Sequence, residues 1–266
     1  MKVLLVNGSP HKEGCTYTAL CEVSKTLNEN GIDTDFFWIG NKALSGCIAC
    51  KKCIDSNRCV FNDAVNEFLD IAGDYDGFVF GSPVHWGGAG GAITSFMDRV
   101  FYANLNGHGN RFRLKPAAAV ISARRAGTTA TWDQMNKYFG LMQMPIVTSR
   151  YWNMVHGTNP DEVKRDAEGM QTMQVLGENM AFLINCKNVA MKMGLKMPKE
   201  QDFVTRPGRK NGKKMKTPIA PAQECVYFKT SAIRFLRFNF AMSSGFSSSS
   251  TNTFAVESLY SCSNVS

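Results

Sequence analysis

The sequence predicts an α/β fold, a doubly wound five-stranded parallel sheet with helices on both faces. Three observations predict it. Short apolar runs such as Val3-Leu4-Leu5-Val6 and Phe78-Val79-Phe80 do not alternate with polar residues, as expected of strands buried on both faces. Such runs take turns with helical patterns about five times along the chain. The segments that follow separate strands are alike, each rich in Gly, Ser, Thr or Pro, and in a doubly wound sheet those segments meet at the carboxyl edge.

The first strand ends at Asn7-Gly8-Ser9-Pro10, a turn signal. Tyr17 to Asn30 reads as a helix stopped by Gly31, a residue that accepts the left-handed conformation past a helix end. Ile32 to Ile39 is the second strand, and Asn41 to Asn62 is a loop excursion that holds four cysteines. A short helix over Asp63 to Ala72 leads to the third strand, Asp76 to Gly81. Thr94 to Tyr102 is helical, Pro116 to Ser122 is the fourth strand, and Trp132 to Met142 is helical. Pro145 to Thr148 is expected to be the last strand. Asn159-Pro160 then starts a helix, with Asn as cap and Pro in the first turn, that is expected to run to about Met193.

The loop between the first strand and its helix carries hydroxyls, glycines and the unpaired amides of a helix start. That combination suits an anion, and a phosphate is the natural guest. The Gly-Lys-Ser/Thr ending of a nucleoside-triphosphate loop is absent, and so is G-x-G-x-x-G. A loop built on hydroxyls suits the lone phosphate of FMN; an ordinary strand-to-helix turn is the alternative. After the third strand comes Gly81-Ser82-Pro83-Val84-His85-Trp86-Gly87-Gly88, and after the fourth comes Ser122-Ala123-Arg124-Arg125-Ala126-Gly127. A flat ring needs amides at its polar edge, an apolar wall and glycines that permit close approach. His85 or Trp86 would flank such a ring; a core aromatic under a loop is the other reading of Trp86. His85 is the one acid–base candidate, with a plain wall residue as its alternative. No catalytic residue is assigned.

The formal net charge of +8 invites a nucleic-acid reading, but position removes it. Residues 206–266 hold nine Lys/Arg and two Glu, so residues 1–205 are nearly neutral with 21 basic and 20 acidic side chains. No apolar run approaches the roughly 18 residues of a membrane span. No signal-peptide pattern follows Met1-Lys2, so a cytoplasmic protein with no membrane or nucleic-acid partner is expected. Residues 206–266 are basic and then Ser-rich, which reads as a disordered tail behind a domain of residues 1–205.

The segments GSPHKEGCT, GSPVHWGGAGGAITSFMDR and SRYWNMVHG, in this order, resemble the flavodoxin-like NAD(P)H-dependent FMN reductases, and most of all the branch that includes the iron–sulfur flavoproteins. The resemblance covers about residues 1–195. It implies that Ser9, His11, Gly14, Cys15 and Thr16 bind the FMN phosphate. It implies that Ser82, Pro83, Val84, His85, Trp86 and Gly87 lie along the flavin ring and that the Arg124 to Gly127 loop closes the site. A homodimer or homotetramer is implied as well. His11, Cys15 and His85 stand where the family often has Arg, Asn and Tyr.

Cys47, Cys50, Cys53 and Cys59 have the spacing C-x2-C-x2-C-x5-C, which lets three thiols on a tight loop point inward and a fourth complete the set. A [4Fe–4S] cluster, a structural zinc and a metal-free thiol loop are the readings. The spacing resembles the compact motif of the iron–sulfur flavoproteins. Lys51, Lys52 and Arg58 would offset thiolate charge, or are simply solvated. Cys21 and Cys186 are expected to be buried free thiols. The expected function is that of an oxidoreductase passing electrons from NAD(P)H through FMN to an acceptor. The alternatives are an iron–sulfur flavoprotein that moves electrons between cluster and FMN, and an electron carrier of flavodoxin type without catalysis.

Overall fold

A computed structural model of the chain describes residues 1–201. The tail expected over residues 206–266, with Cys225 and Cys262, lies outside the described residues. The strands are β1 (Lys2–Asn7), β2 (Asp33–Trp38), β3 (Gly77–His85), β4 (Gly88–Ala89), β5 (Ala117–Ala123) and β6 (Met154–His156). The order β2-β1-β3-β5-β6 is parallel throughout, and β4 pairs antiparallel with the end of β3. The order turns back between β1 and β3, the place where doubly wound sheets bind ligands.

The unalternating strands follow from burial on two sides. Successive residues point to opposite faces. Leu4, Val6, Phe78, Phe80 and Ile121 pack on one side against α3 (Ala64–Ile71), α4 (Gly91–Asn106) and α5 (Thr128–Leu141) through Phe68, Phe96 and Phe139. Val3, Leu5, Val79 and Val120 pack on the other against α1 (Cys15–Glu29) and α7 (Ala167–Lys192) through Leu20, Val23, Met173 and Leu176. Both faces must be apolar, so no period of two survives in the sequence.

Several expectations need correction. The last strand is Met154–His156, not Pro145 to Thr148, which contributes only one bridge, Ala117 to Ile146. The chain meets the foot of β5 at Ile146, leaves it, and rejoins near the top, where Ile121 donates to the Asn153 carbonyl at 2.9 Å. The long helix after Asn159 is two helices, α6 (Pro160–Arg165) and α7, broken at Asp166. Asp166 leaves the helical conformation and its carboxylate accepts from the Gly169 amide at 3.0 Å, so α7 gains its own cap. Cys186 is exposed and Cys21 half-buried, against the expectation of burial. Among the described residues no helix is long and apolar enough to cross a membrane.

Candidate functional site

The first loop is turned by Asn7, which opens the turn signal but is not among the expected binding residues. Asn7, at the end of β1, accepts from the Ser9 amide at 3.0 Å and donates to the Lys12 carbonyl at 2.9 Å. An Asn before Gly-Ser-Pro is a signal for such a turn, since its amide mimics the backbone. The Ser9 hydroxyl accepts from the His11 amide at 3.1 Å, and Trp38 from β2 donates to the Ser9 carbonyl at 2.8 Å. Ser9 is buried, His11 exposed and Cys15 half-buried. Burial, ahead of a weaker repulsion from Glu162, pushes the Cys15 thiol up. Gly14 starts α1 with no side-chain cap. Among the described residues, no acceptor meets the amides of Gly14, Thr16 and Tyr17. These donors and the helix dipole favour an anion. The Thr16 hydroxyl is 2.8 Å from the Ser122 hydroxyl, and its residue is 1% exposed. It therefore ties the loop to β5, and the outward donors of the loop are its amides.

The second loop is a hairpin. β3 runs on to His85 and returns through β4, with Val84 opposite Ala89 and His85 opposite Gly88. Its two turn residues, Trp86 (φ 51°) and Gly87 (φ 77°), both have positive φ, the signature of a type I′ turn. Trp86 is fully exposed at the tip, which excludes the core-aromatic reading. Ser82 is buried; its hydroxyl donates to the Pro83 carbonyl at 2.8 Å and accepts from the Gly90 amide at 3.3 Å. Gln134 of α5 accepts from the Ala89 amide at 3.2 Å.

The third loop leans on the second. Gly127 has φ of 96°, and a β-carbon there would sit 2.7 Å from the Gly87 α-carbon and 2.8 Å from a Val84 methyl. Only glycine permits both the conformation and the approach. Val84, Trp86, Gly87, Ala123, Arg124, Arg125 and Ala126 line an open cleft of about 390 Å³. The first loop is joined to this region through the Gly8 amide, which donates to the Gly81 carbonyl at 2.9 Å, and through Thr16. Of the expected residues, Val84, Trp86, Gly87 and Arg124 are in the lining of the cleft, and Ser9, His11, Gly14, Cys15, Thr16, Ser82, Pro83, His85 and Gly127 are not. Free amides, a glycine cradle and an apolar wall are present, so the residues fit a flavin nucleotide.

The cysteine loop lies elsewhere. Cys47, Cys50, Cys53 and Cys59 all line one small cavity of about 20 Å³, roughly the room of one water, with Arg99, Tyr102 and Phe61. As they stand the sulfurs do not close on one point, and among the described residues no group of three or more His, Cys, Asp or Glu is set to hold a metal ion. The four thiols are nonetheless a soft donor set of the right number, so they fit a thiolate-held group once the loop contracts on it. Cys47 and Cys50 are exposed, while Cys53 opens a short helix, α2 (Cys53–Ser56), and is buried. Burial, and then the three neighbouring cysteines, push the Cys53 thiol up. Ala49, Lys51 and Asn57 all have positive φ, so the loop is bent without help from glycine.

Two residues hold Cys59. Asn66 accepts from its amide at 2.8 Å and donates to its carbonyl at 2.9 Å. Arg99 of α4 donates Nε–H to the Cys59 sulfur at 3.2 Å and grips Asp63 through both terminal nitrogens at 2.8 Å each. Arg99 is 2% exposed. Burial works against its charge, but the Asp63 and Cys59 contacts outweigh that and hold the guanidinium above its ordinary value.

A family model for NADPH-dependent FMN reductase matches residues 1–159. An iron–sulfur flavoprotein of Methanocaldococcus jannaschii is 32% identical over 189 residues, which is 69% of this chain and 97% of that protein. An iron–sulfur flavoprotein of Methanosarcina thermophila is 26% identical over 187 residues, 69% of this chain and 95% of that one. Among solved structures, RosB with a bound 8-demethyl-8-formylriboflavin-5'-phosphate intermediate superposes with a TM-score of 0.55 at 12% identity, covering 84% of this chain and all (100%) of that one. A flavone reductase reaches 0.54 at 16% identity, covering 71% and 64%. Those two likenesses speak to the fold, and the first two comparisons decide the family: the chain belongs to the NADPH-dependent FMN reductase family.

Proposed function

We propose that this chain is an FMN-dependent oxidoreductase that takes electrons from NAD(P)H and passes them to an acceptor. The observation that carries the reading is the meeting of three loops at the carboxyl edge of the sheet, beside the reversal of strand order. Bound FMN would supply the hydride and electron chemistry. The chain's part is binding and placement. The amides of Gly14, Thr16 and Tyr17 would hold the phosphate, with Ser9, His11 and Cys15 shaping the loop. Ser82, Pro83, Val84 and His85 would form the wall, and Gly87 with Gly127 would let the backbone approach the ring. Trp86 and Arg124, which line the cleft, would meet the nicotinamide nucleotide. An assembly of two or four copies is proposed from the same family likeness.

The second reading is that of an iron–sulfur flavoprotein, with Cys47, Cys50, Cys53 and Cys59 holding a [4Fe–4S] cluster. It is favoured by the placement of all four cysteines along one cavity beside a buried cation, and by the iron–sulfur flavoproteins to which the chain is similar. When bound, the cluster would supply one-electron transfer.

Anaerobic purification tests both. Flavin analysis should return FMN, and the protein should oxidise NADH or NADPH when given an artificial acceptor. Absence of flavin after incubation with FMN would end the first reading. Iron and sulfide in equal amounts, with a broad brown absorbance beneath the flavin bands, are expected for the second.

A further inference from the structure

Arg99 is the one fully buried cation among the described residues, and each of its nitrogens has a partner. Both terminal nitrogens grip Asp63, one of them also meets the Ser45 carbonyl at 3.3 Å, and the Phe61 ring covers the guanidinium at 4.9 Å. Asp63 is fixed in turn, because its carboxylate accepts from the Val65 amide at 3.2 Å and caps α3. A buried Arg–Asp pair alone is weak evidence for a gain in stability, since desolvation offsets attraction. What this pair achieves is direction: with the fork occupied, Nε–H is aimed at the Cys59 sulfur.

We propose that Arg99 is a positioning residue that presets Cys59 as a ligand and raises the reduction potential of the group held by the four cysteines, an inference that rests on the four-cysteine cluster reading. The hydrogen bond to the sulfur is the physical cause. A donor on the ligand sulfur draws electron density from it, and hydrogen bonds to the sulfurs are among the factors that set cluster potentials. The positive charge itself is largely compensated by the Asp63 carboxylate, so the directed hydrogen bond rather than net charge carries the effect. The loop cations Lys51 and Lys52 are exposed and screened by salt, so they contribute little by comparison. Arg58 is engaged with Asp70. Arg99 also sits on α4, the helix that starts immediately after β4, so the same rigid element that anchors the hairpin of the cleft carries the cysteine clamp.

The test uses full-length protein, loaded anaerobically with iron and sulfide, and titrated with dithionite as one-electron donor while the paramagnetic signal is followed. In Arg99→Lys the charge remains but the fork and the Nε–H are lost. At fixed ambient potential its reduced-to-oxidised ratio should fall about tenfold, a shift of about 59 mV to the negative for a one-electron couple. Lys52→Gln should move the ratio by less than twofold. Wild-type protein labelled with guanidino-15N arginine should show a nitrogen coupling in pulsed resonance of the reduced state, a measurement that stands even if the variant does not fold. Iron uptake with an unmoved potential in Arg99→Lys, or with no nitrogen coupling, would overturn the role of Arg99 and leave the cluster reading intact. Wild-type protein that takes up no iron and sulfide would overturn both.

Discussion

The cleft at the sheet edge and the cysteine cavity are built in opposite ways. The cleft is made of backbone: free amides at the start of α1, a two-residue turn, and the contact of Gly127 with Gly87. The topology of the sheet brings those parts together, and few of the side chains carry chemistry. The cavity is made of side chains, four thiols on a loop bent through three non-glycine residues with positive φ. No strand places that loop; Asn66 and Arg99 fasten it after the fact. A site of the first kind is as firm as the fold. One of the second kind is only as firm as its fasteners, and it can be lost while the fold stands.

The widest separation of the two is expected from Gly127→Val. The added side chain meets Gly87 and Val84 in a conformation that only glycine adopts freely, so the second and third loops must part. FMN affinity should fall at least about 100-fold, roughly 3 kcal/mol. Cobalt(II) binding at the cysteine loop, read by its thiolate charge-transfer band, should be unaltered. Parallel losses would mean the two regions are one unit. The mirror experiment is Cys50→Ser, which exchanges a soft thiolate for a poorly ionised hydroxyl. Thiolate-to-cobalt absorbance should weaken or vanish while flavin titration gives the wild-type curve.

Asn66→Ala comes next in size. It leaves the Cys59 amide and carbonyl and the Phe61 carbonyl without the partner they have at 2.8 to 2.9 Å. The cost should be about 2–3 kcal/mol in denaturant unfolding, since buried groups are left unmade. Cobalt affinity should fall further than FMN affinity does. A pH series separates the regions without mutation. With Cys53 raised by burial and by its neighbours, its thiol must lose a proton to bind a metal. Cobalt affinity should therefore climb about tenfold per pH unit for each proton released between pH 6 and 8, and fall as pH is lowered. FMN affinity should stay nearly level above pH 7, where the phosphate is already largely dianionic. Equal slopes for both ligands would contradict the assignment of amides to one and thiols to the other.

The smallest effect is expected from Thr16→Val. A hydroxyl facing the phosphate would cost 10- to 100-fold in FMN affinity when removed. Because the hydroxyl is committed to Ser122, the loss should instead appear as about 1 kcal/mol of stability, with FMN affinity within threefold of wild type. A tenfold loss of affinity would restore Thr16 to the phosphate shell.

How much of this could be read beforehand differs between local and distant features. The sheet and its loops were legible because unbroken apolar runs and turn residues report directly on burial and backbone shape. The four cysteines were legible from spacing alone. Arg99 was not, because its partners Asp63 and Cys59 are 36 and 40 residues away and nothing near it in sequence marks it. The edge strand was misplaced for a related reason. Pro145 to Thr148 has the composition of a strand, but an edge strand is defined by what it pairs with, and the chain keeps only the bridge at Ile146 before returning at Met154. β4 was missed because a two-residue strand has no period. The break at Asp166 was hidden because a capping Asp inside a helical pattern looks like a solvated residue until its carboxylate is seen on Gly169.

The second core has a consequence for how the chain is made. Every residue of the two candidate regions precedes Pro160, and the match to the family model spans residues 1–159. Yet Met173, Leu176, Met180, Ala181 and Ile184, which cover one face of the sheet, all belong to α7. Each of the Met, Leu and Ile side chains contributes about 1.5–3 kcal/mol when fully buried. A nascent chain halted at residue 159 would thus carry both sets of ligand-bearing residues on a sheet with one apolar face covered by α1 alone. Chains emerge from the ribosome N-terminus first, so this face meets the cell before the rest of its cover is synthesised. Loading of either group during synthesis must compete with aggregation of that half-covered sheet, and the arrival of α7 sets the earliest moment at which a lasting complex can form.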